Sequence, residues 1–449
     1  MTHTSQFPAA LSTRAEELTR AAADFGHVVS TRPWGVLTPR TVRDVQDVIA
    51  FAGPRGRPVS ARGGGYSLYG QGQADGGFVL DMGALNRVDC APGERTLVAE
   101  AGALWRDVVR AALTEGLTPP VLTDHLGSSV GGVLSTGGIG TSSHHHGLVS
   151  DAVASLDVVT GTGELVTCSP DLHPGLFDAV LAGLGQCALI VRATLRLTPA
   201  PERVRRYRLY HQSPESFFAD QHRLVRDRRF SHLDGQVRPA LHHTWHYMIE
   251  AVVPHRTGHL PLDDDLLIGD LGHVSDTVEI EDVSYGAHLH RLDRAERILR
   301  VTGEWQRPHP WLTLLLPART APAFVAEVLA DSAQNDLRTN GVVQLHPLLG
   351  GRLHTPLLRR PPGELLHVFS LMRTAPPANP SAVRRSVAAN RAAYERAREL
   401  GGVVHPVSAL PMTCEDWRRH FGDTWDVLAR AKDRHDPYRI LTRGPGLWP

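Results

Sequence analysis

Glycine is concentrated in the first 200 residues, in clusters that alternate with short β-rich runs. The first cluster is Arg62-Gly63-Gly64-Gly65-Tyr66-Ser67-Leu68-Tyr69-Gly70-Gln71. The second is Ser128-Ser129-Val130-Gly131-Gly132 with Gly137-Gly138-Ile139-Gly140. Consecutive glycines let a backbone enter positive φ and bring its N–H groups close to an anion such as a pyrophosphate. Taken singly, either cluster reads equally well as loop punctuation. A third, Gly183-Leu184-Gly185-Gln186-Cys187-Ala188, matches the dinucleotide pattern G-x-G-x-x-A, but its context is reversed. A Rossmann turn follows a strand and opens a helix. Here a helix-like segment, Leu176 to Leu181, comes before and a strand, Leu189 to Leu197, comes after. The Rossmann reading is therefore rejected.

Around the clusters the pattern alternates between helix and strand, the signature of an α+β domain. Val42, Val45, Val48, Ile49 and Ala52 have helical spacing. Phe78 to Met82 and Leu97 to Ala101 read as strands, and Trp105 to Leu113 as a helix. Gly161-Thr162-Gly163 between two apolar runs reads as a tight hairpin. Composition shifts at Thr198-Pro199-Ala200-Pro201, a linker signal. Beyond it, Ser213-Pro214 opens a helix to about Arg226, and Ser381 to Leu400 is a helix stopped at Gly401-Gly402. His246 to Val253, Trp311 to Leu316, Gly341 to Leu345 and Leu365 to Met372 read as strands, so an antiparallel sheet covered by helices is expected.

A chain of 449 residues exceeds one hydrophobic core, so two domains are the default. Lys+Arg and Asp+Glu both number 47, which removes any electrostatic case for nucleic acid or an acidic membrane surface. Cys90, Cys168, Cys187 and Cys414 are scattered without a C-x-x-C pair, so neither a disulfide framework nor a zinc site is indicated. Met1 to Ala10 lacks a basic segment leading into an apolar run, and no apolar stretch approaches the ~20 residues needed to span a bilayer. A cytoplasmic protein without membrane or nucleic-acid partners is expected. His144-His145-His146 invites a metal reading, but adjacent histidines in a strand or turn point apart, and no metal is expected.

Several motifs occur in one order along nearly the whole chain. They are Arg62-Gly63-x-Gly65-x-Ser67-Leu68-x-Gly70-Gln71, Gly102-Ala103-Leu104-Trp105, Leu122-Thr123-Asp124 and Val130-Gly131-Gly132-x-Leu134-Ser135. Leu176-Phe177-Asp178-Ala179-Val180-Leu181-x-Gly183-Leu184-Gly185-Gln186, Pro308-His309-Pro310-Trp311-Leu312, Trp417-x-x-His420-Phe421-Gly422-x-x-Trp425 and Asp436-Pro437-x-x-Ile440-Leu441 follow. In this combination the chain resembles cytokinin dehydrogenases, of the vanillyl-alcohol-oxidase type of FAD proteins. The resemblance implies a PCMH-type, two-lobed FAD-binding domain from residues 1–200, a substrate domain from 201–409, and a return of 410–449 to the first domain. It implies FAD contacts from Arg62, Gly63, Gly64, Gly65, Tyr66, Ser67 and Gln71. Thr123, Asp124, Ser128, Ser129, Gly131, Gly132, Ser135 and Gly138 would add to them, with His146 of the His146-Gly147 pair.

Family roles follow by position. Asp124 stands where relatives carry the aspartate that takes a proton from the substrate amine as hydride leaves the neighbouring carbon. A carboxylate with an ordinary pKa of about 3.9 is a weak base in water, and burial beside an apolar ring strengthens it. Without the resemblance, Asp124 reads as a turn or helix cap. Glu250, in Tyr247-Met248-Ile249-Glu250, falls where a glutamate holds the substrate ring at the pocket mouth; otherwise it is a solvent-facing strand residue. His125, Tyr247, Trp311 and Thr313 are the remaining substrate-side candidates, although a core role for Trp311 fits nearly as well.

Four positions depart from the family. Tyr66 replaces the histidine that bonds covalently to the flavin, so FAD is expected to be held noncovalently, with a tyrosyl ether the lesser alternative. Pro445 of Gly444-Pro445-Gly446 replaces a glutamine expected to contact the flavin. Thr313 replaces an asparagine, and a hydroxyl cannot offer the same donor and acceptor pair to an adenine-like ring. His125 replaces a common tyrosine. A pocket rebuilt this way selects against the family's own substrate. The expected function is hydride transfer from a small amine or alcohol to flavin N5, with oxygen or an unidentified acceptor taking the electrons. A bacterial secondary-metabolism tailoring enzyme is the expected setting. True cytokinin oxidation is the alternative, as is an FAD-retaining cyclase, isomerase or ligand-binding protein without net redox chemistry.

Overall fold

Strands and helices alternate through the first half of the computed structural model, which describes residues 11–240, 244–256, 258, 262–331, 337 and 341–448. The Met1–Ala10 stretch, read above for a secretory signal, lies outside those residues. Gly35–Leu37 and Val59–Arg62 both run parallel to Phe78–Asp81, with Leu11–Ser12 at the far edge of this four-stranded sheet. Helix Val42–Ala52 makes the crossover. It starts where Thr41 and Asp44 exchange side-chain-to-backbone bonds in a capping box, and it buries Val45, Val48, Ile49 and Ala52. A second, antiparallel sheet has the order Val88–Ala91, Thr96–Glu100, Ala188–Arg196, Val153–Thr160, Leu165–Cys168. Both sheets and the helix Trp105–Thr114 share one core.

The end of the chain enters that same core. Ile440 and Leu441 are fully buried in it. The Val59 amide donates to the Ile440 carbonyl at 2.9 Å, and the Thr442 amide donates to Val59 at 2.9 Å. Lys432, on helix Trp425–His435, is buried and ion-paired with Asp436 at 2.7 Å. Its ammonium also donates to the Gln186 and Leu441 carbonyls. A buried ammonium persists only when its hydrogens are all used in this way.

An eight-stranded antiparallel sheet occupies the second half, in the order Glu279–Ser284, Arg203–His211, Trp245–His255, His232–Pro239, Val342–Leu349, Leu365–Met372, Leu312–Pro317, Val403–Val404. Side chains alternate across it with period two. Tyr247, Ile249 and Ala251 point to the face covered by helices Pro214–Asp227, Ala321–Ala330 and Pro380–Glu399, where Phe217, Phe324 and Tyr394 complete a second core. Glu250 and Val252 point to the opposite face, and Val252 joins the first core. The α+β architecture, the helix-covered antiparallel sheet and the reversed context of Gly183–Gly185 all match the sequence reading. Two details do not. His144 to His146, read above as lying in a strand or turn, form one turn of helix, Ser143–His146. Strand Arg203–His211 gave no clear signal because its apolar residues divide between faces, Val204 on one and Tyr207 and Leu209 on the other.

Candidate active site

Strand Val59–Arg62 delivers the chain into the first glycine turn, where Gly65 has φ +76°. Among the described residues, the amides of Gly64, Gly65 and Tyr66 donate no hydrogen bond within the protein. Successive unpaired N–H groups form an anion-binding nest. The turn lies against the second cluster so closely that a Cβ on Gly63 would sit 1.8 Å from Ser129 Oγ, and one on Gly64 2.8 Å from the Gly127 carbonyl. Ser129 caps the short helix Val130–Leu134 by accepting from the Gly132 amide, and Ser135 Oγ donates to Gly131 at 2.7 Å. Gly131 packs on Ala101, and Gly138 has φ +71°. The Trp105 amide donates to the Ser128 carbonyl, and Gly26 to the Ser67 carbonyl. Arg62 donates to the Ala23 carbonyl and packs beneath the turn.

Gln71 leaves this turn to donate to the Pro406 carbonyl at 3.2 Å. With Tyr69, His405, Ser408 and Gly444–Gly446 it lines a cleft of about 180 Å³. Three distant stretches of chain therefore meet there.

Asp124 follows between the two clusters. Its Oδ1 accepts from Arg291 Nη2 at 2.7 Å, and Arg291 Nε lies 3.6 Å from Glu250 Oε1. Glu250 is 9% exposed and also faces Arg208 at 3.3 Å and Arg206 at 3.8 Å, so it is an ion-paired buried residue rather than a solvent-facing one. Asp234, opposite Glu250 on the adjacent strand, contacts His346 at 3.3 Å and accepts from Gln236 at 2.8 Å. Burial pushes its carboxyl up to about 6, against the opposing influence of His346. Thr123 Oγ1, beside Asp124, is buried and has no partner among the described residues.

An aromatic group stands next to this cluster. Tyr66 packs on His125 with ring centroids 4.3 Å apart, and Phe25 stacks on His309 at 4.0 Å. Trp305 and Trp311 approach Phe25 at 4.8 and 5.3 Å. His125 Nε2 meets Glu296 at 3.0 Å; burial outweighs this carboxylate and lowers the imidazole's pKa. Burial also raises the Tyr66 phenol, so it stays protonated at neutral pH.

The comparisons with known proteins agree with this geometry. A family described as "FAD binding domain" matches residues 33–169, and "Cytokinin dehydrogenase 1, FAD and cytokinin binding" matches 239–448. An "Uncharacterized oxidoreductase ORF5 in fasciation locus" of Rhodococcoides fascians is 43% identical, covering 95% of this chain and 96% of that protein. Cytokinin dehydrogenase 10 of Oryza sativa subsp. japonica is 33% identical over 98% of this chain and 88% of its own length. Cytokinin dehydrogenase 2 of Arabidopsis thaliana is 30% identical over 98% and 93%. The chain belongs to the cytokinin dehydrogenase-like family of FAD-dependent oxidoreductases.

The cofactor of a cytokinin dehydrogenase-like oxidoreductase is FAD, and the residues present fit it. The free amides of Gly64 to Tyr66 suit its pyrophosphate, and the cleft behind Gln71 is closed by the chain's own C-terminal turn. The sequence-derived candidates scatter more widely. Asp124 and Glu250 meet through Arg291, and His125 joins Tyr66. Trp311 lies in the aromatic group, its indole N–H donating to the Arg373 carbonyl at 3.0 Å. Thr313 Oγ1 meets Ser370 Oγ at 3.1 Å on the same sheet face as Glu250 and Asp234. Tyr247 is on the other face, in the helix-covered core 5.6 Å from Phe217. Period two separates Tyr247 from Glu250, because residues three apart on a strand point to opposite sides.

His146 is exposed at the end of its turn. Both ring nitrogens of His144 and Nε2 of His145 lie within hydrogen-bond distance of the Thr141 and Phe230 carbonyls. Among the described residues no cluster of metal-ligating side chains is present, and no helix is long and apolar enough to cross a membrane. Sequence reasoning missed Arg291, Asp234, Glu296 and Trp305. Each is one charged or aromatic residue in an unremarkable stretch; only Asp234, a charge inside an otherwise strand-like run, carried a readable signal.

Proposed function

We propose that this protein oxidises a C–N or C–OH bond of a small organic substrate, with Asp124 taking the proton. One observation carries this reading: Asp124, held between the two glycine clusters, is fixed at 2.7 Å by Arg291 beneath the polar face of the large sheet. Bound FAD supplies the hydride acceptor at its N5. Arg291 orients the carboxylate and offsets its charge, so that one oxygen remains for a substrate N–H or O–H. Phe25, Trp305 and Trp311 offer flat apolar surface for the substrate body and help to exclude water. Glu250 and Asp234 add acceptors above, and Thr313 with Ser370 adds hydroxyls. Tyr66, a neutral phenol, leaves FAD bound without a covalent link.

The positions Tyr66, His125, Thr313 and Pro445 favour tailoring of a bacterial secondary metabolite over hormone degradation. Cytokinin oxidation is the second reading, supported by 30–33% identity to plant cytokinin dehydrogenases along nearly the full chain.

Anaerobic mixing with N6-isopentenyladenine, and with a panel of amines and benzylic alcohols, tests both. Bleaching of the flavin is expected, slowed about 100-fold or more in Asp124→Asn at unchanged FAD content. Turnover of a substrate with an unchanged flavin spectrum would sink the oxidation.

A further inference from the structure

Behind Asp124 lies a second, smaller cavity of about 20 Å³, lined by Thr123, Asp124, His232, Tyr285 and Arg291 among others. It has room for one water-sized group. His232 sits at the start of strand His232–Pro239, and Ser231 fixes its ring. Ser231 Oγ lies 2.9 Å from His232 Nδ1 and donates at 3.0 Å to the Val252 carbonyl. A serine has one hydrogen and a carbonyl only accepts, so both contacts are hydrogen bonds at once only if Nδ1–H donates to Ser231. Nε2 then carries the ring's lone pair. Asp124 presents a second acceptor to the same space, since Arg291 takes only Oδ1.

The groups facing His232 favour the neutral ring. His288, Arg291 and His144 lie around it, and enclosure lowers its pKa well below the ordinary value, with Asp124 alone pulling the other way. A neutral imidazole and a carboxylate both line this one small cavity. Thr123 Oγ1, buried and without a partner among the described residues, can donate or accept there.

We infer that His232 is a specificity-determining residue of the reaction site, whose Nε2 and Asp124 together hold a small group bearing two hydrogens. That group is either the amino group of the substrate or a water that braces Asp124. The inference rests on the proposed function for its meaning, but its test needs no turnover.

The holoenzyme is labelled with 15N-histidine, and the His232 signals are found by difference from His232→Gln. Expected is a neutral Nδ1–H tautomer from pH 5 to 8, with an Nε2 shift that moves in Asp124→Asn. If His232→Gln does not fold, Ser231→Ala identifies the ring by releasing its tautomer. An Nε2–H tautomer, an imidazolium in this range, or indifference to Asp124→Asn would overturn the inference. Titration with methylamine and trimethylamine then separates the two sources. A flavin spectral change and Nε2 shift with methylamine alone identify the amino group; no response to either, with the expected tautomer intact, identifies water. Failure of every substrate to bleach the flavin defeats the proposed oxidation and leaves the imidazole result standing.

Discussion

Arg291 donates to Asp124 at 2.7 Å while its Nε stands 3.6 Å from Glu250, so one guanidinium ties the glycine-cluster segment to the large sheet. Its pKa is raised: burial lowers it, but Asp124, Glu250 and Asp234 together more than offset this. The planar fork can face two partners at once, which an ammonium cannot. Arg291→Met is expected to slow flavin reduction about 100-fold, since a reacting group displaced by an ångström costs that much. It should also lower stability by about 3 kcal/mol, because buried carboxylates lose their partner. Arg291→Lys should recover stability better than rate. Stopped-flow reduction and urea unfolding of the three proteins separate these effects.

Tyr66, which the resemblance places at the flavin-attachment position, has a phenol kept protonated by burial and packs on His125. Acid precipitation of the holoenzyme should leave a colourless pellet and a yellow supernatant. A yellow pellet would mean a tyrosyl bond. Tyr66→Phe should retain the same FAD content after gel filtration, which a covalent role would not allow.

Asp234 gives a pH dependence with a definite sign. Its folded pKa of about 6 lies above the ordinary 3.8, so the folded protein binds this proton more tightly than the unfolded chain. Its contribution is most favourable below the unfolded value and is lost as pH rises through about 6. A shift of roughly two units corresponds to about 3 kcal/mol. Asp234→Asn should therefore gain stability on wild type between pH 4 and 7, measured by denaturant unfolding at each pH. A difference that stays flat across that range would contradict the assignment.

Lys432 and Asp436 hold the C-terminal return at 2.7 Å in a fully buried pair. Asp436 also accepts from the Ile440 and Leu441 amides, which set the chain beside Val59. Lys432→Met leaves that carboxylate alone and should cost 3–5 kcal/mol, about the usual loss for a broken buried pair. Because Gly444–Gly446 lines the cleft behind Gln71, FAD retention should fall with it. Flavin-to-protein absorbance after gel filtration gives the answer. A Lys432→Met, Asp436→Leu double variant should regain part of the stability.

Local order was legible wherever one residue pattern dictated it. Thr41 and the apolar spacing after it produced the helix Val42–Ala52, and Leu365–Met372 is the strand its eight residues describe. Asp124 was singled out through the family resemblance of Leu122-Thr123-Asp124, and without it the residue read as a cap. Its partner Arg291 was not, because 167 residues separate them and nothing local to either one states the pairing. Tyr247 was named as a substrate-side candidate along with Glu250, and the pleat put them on opposite faces.

The amino-acid sequence determined the glycine turns, the helix caps, the α+β alternation and the family, since these depend on φ freedom, short-range hydrogen bonds and motif order. Only the tertiary structure decided which charges meet. Ion pairing between Asp124, Arg291 and Glu250, and the cavity shared by Asp124 and His232, arise from strand register and burial. Coulomb and desolvation energies depend on distance through space, and spacing along a chain does not encode that distance.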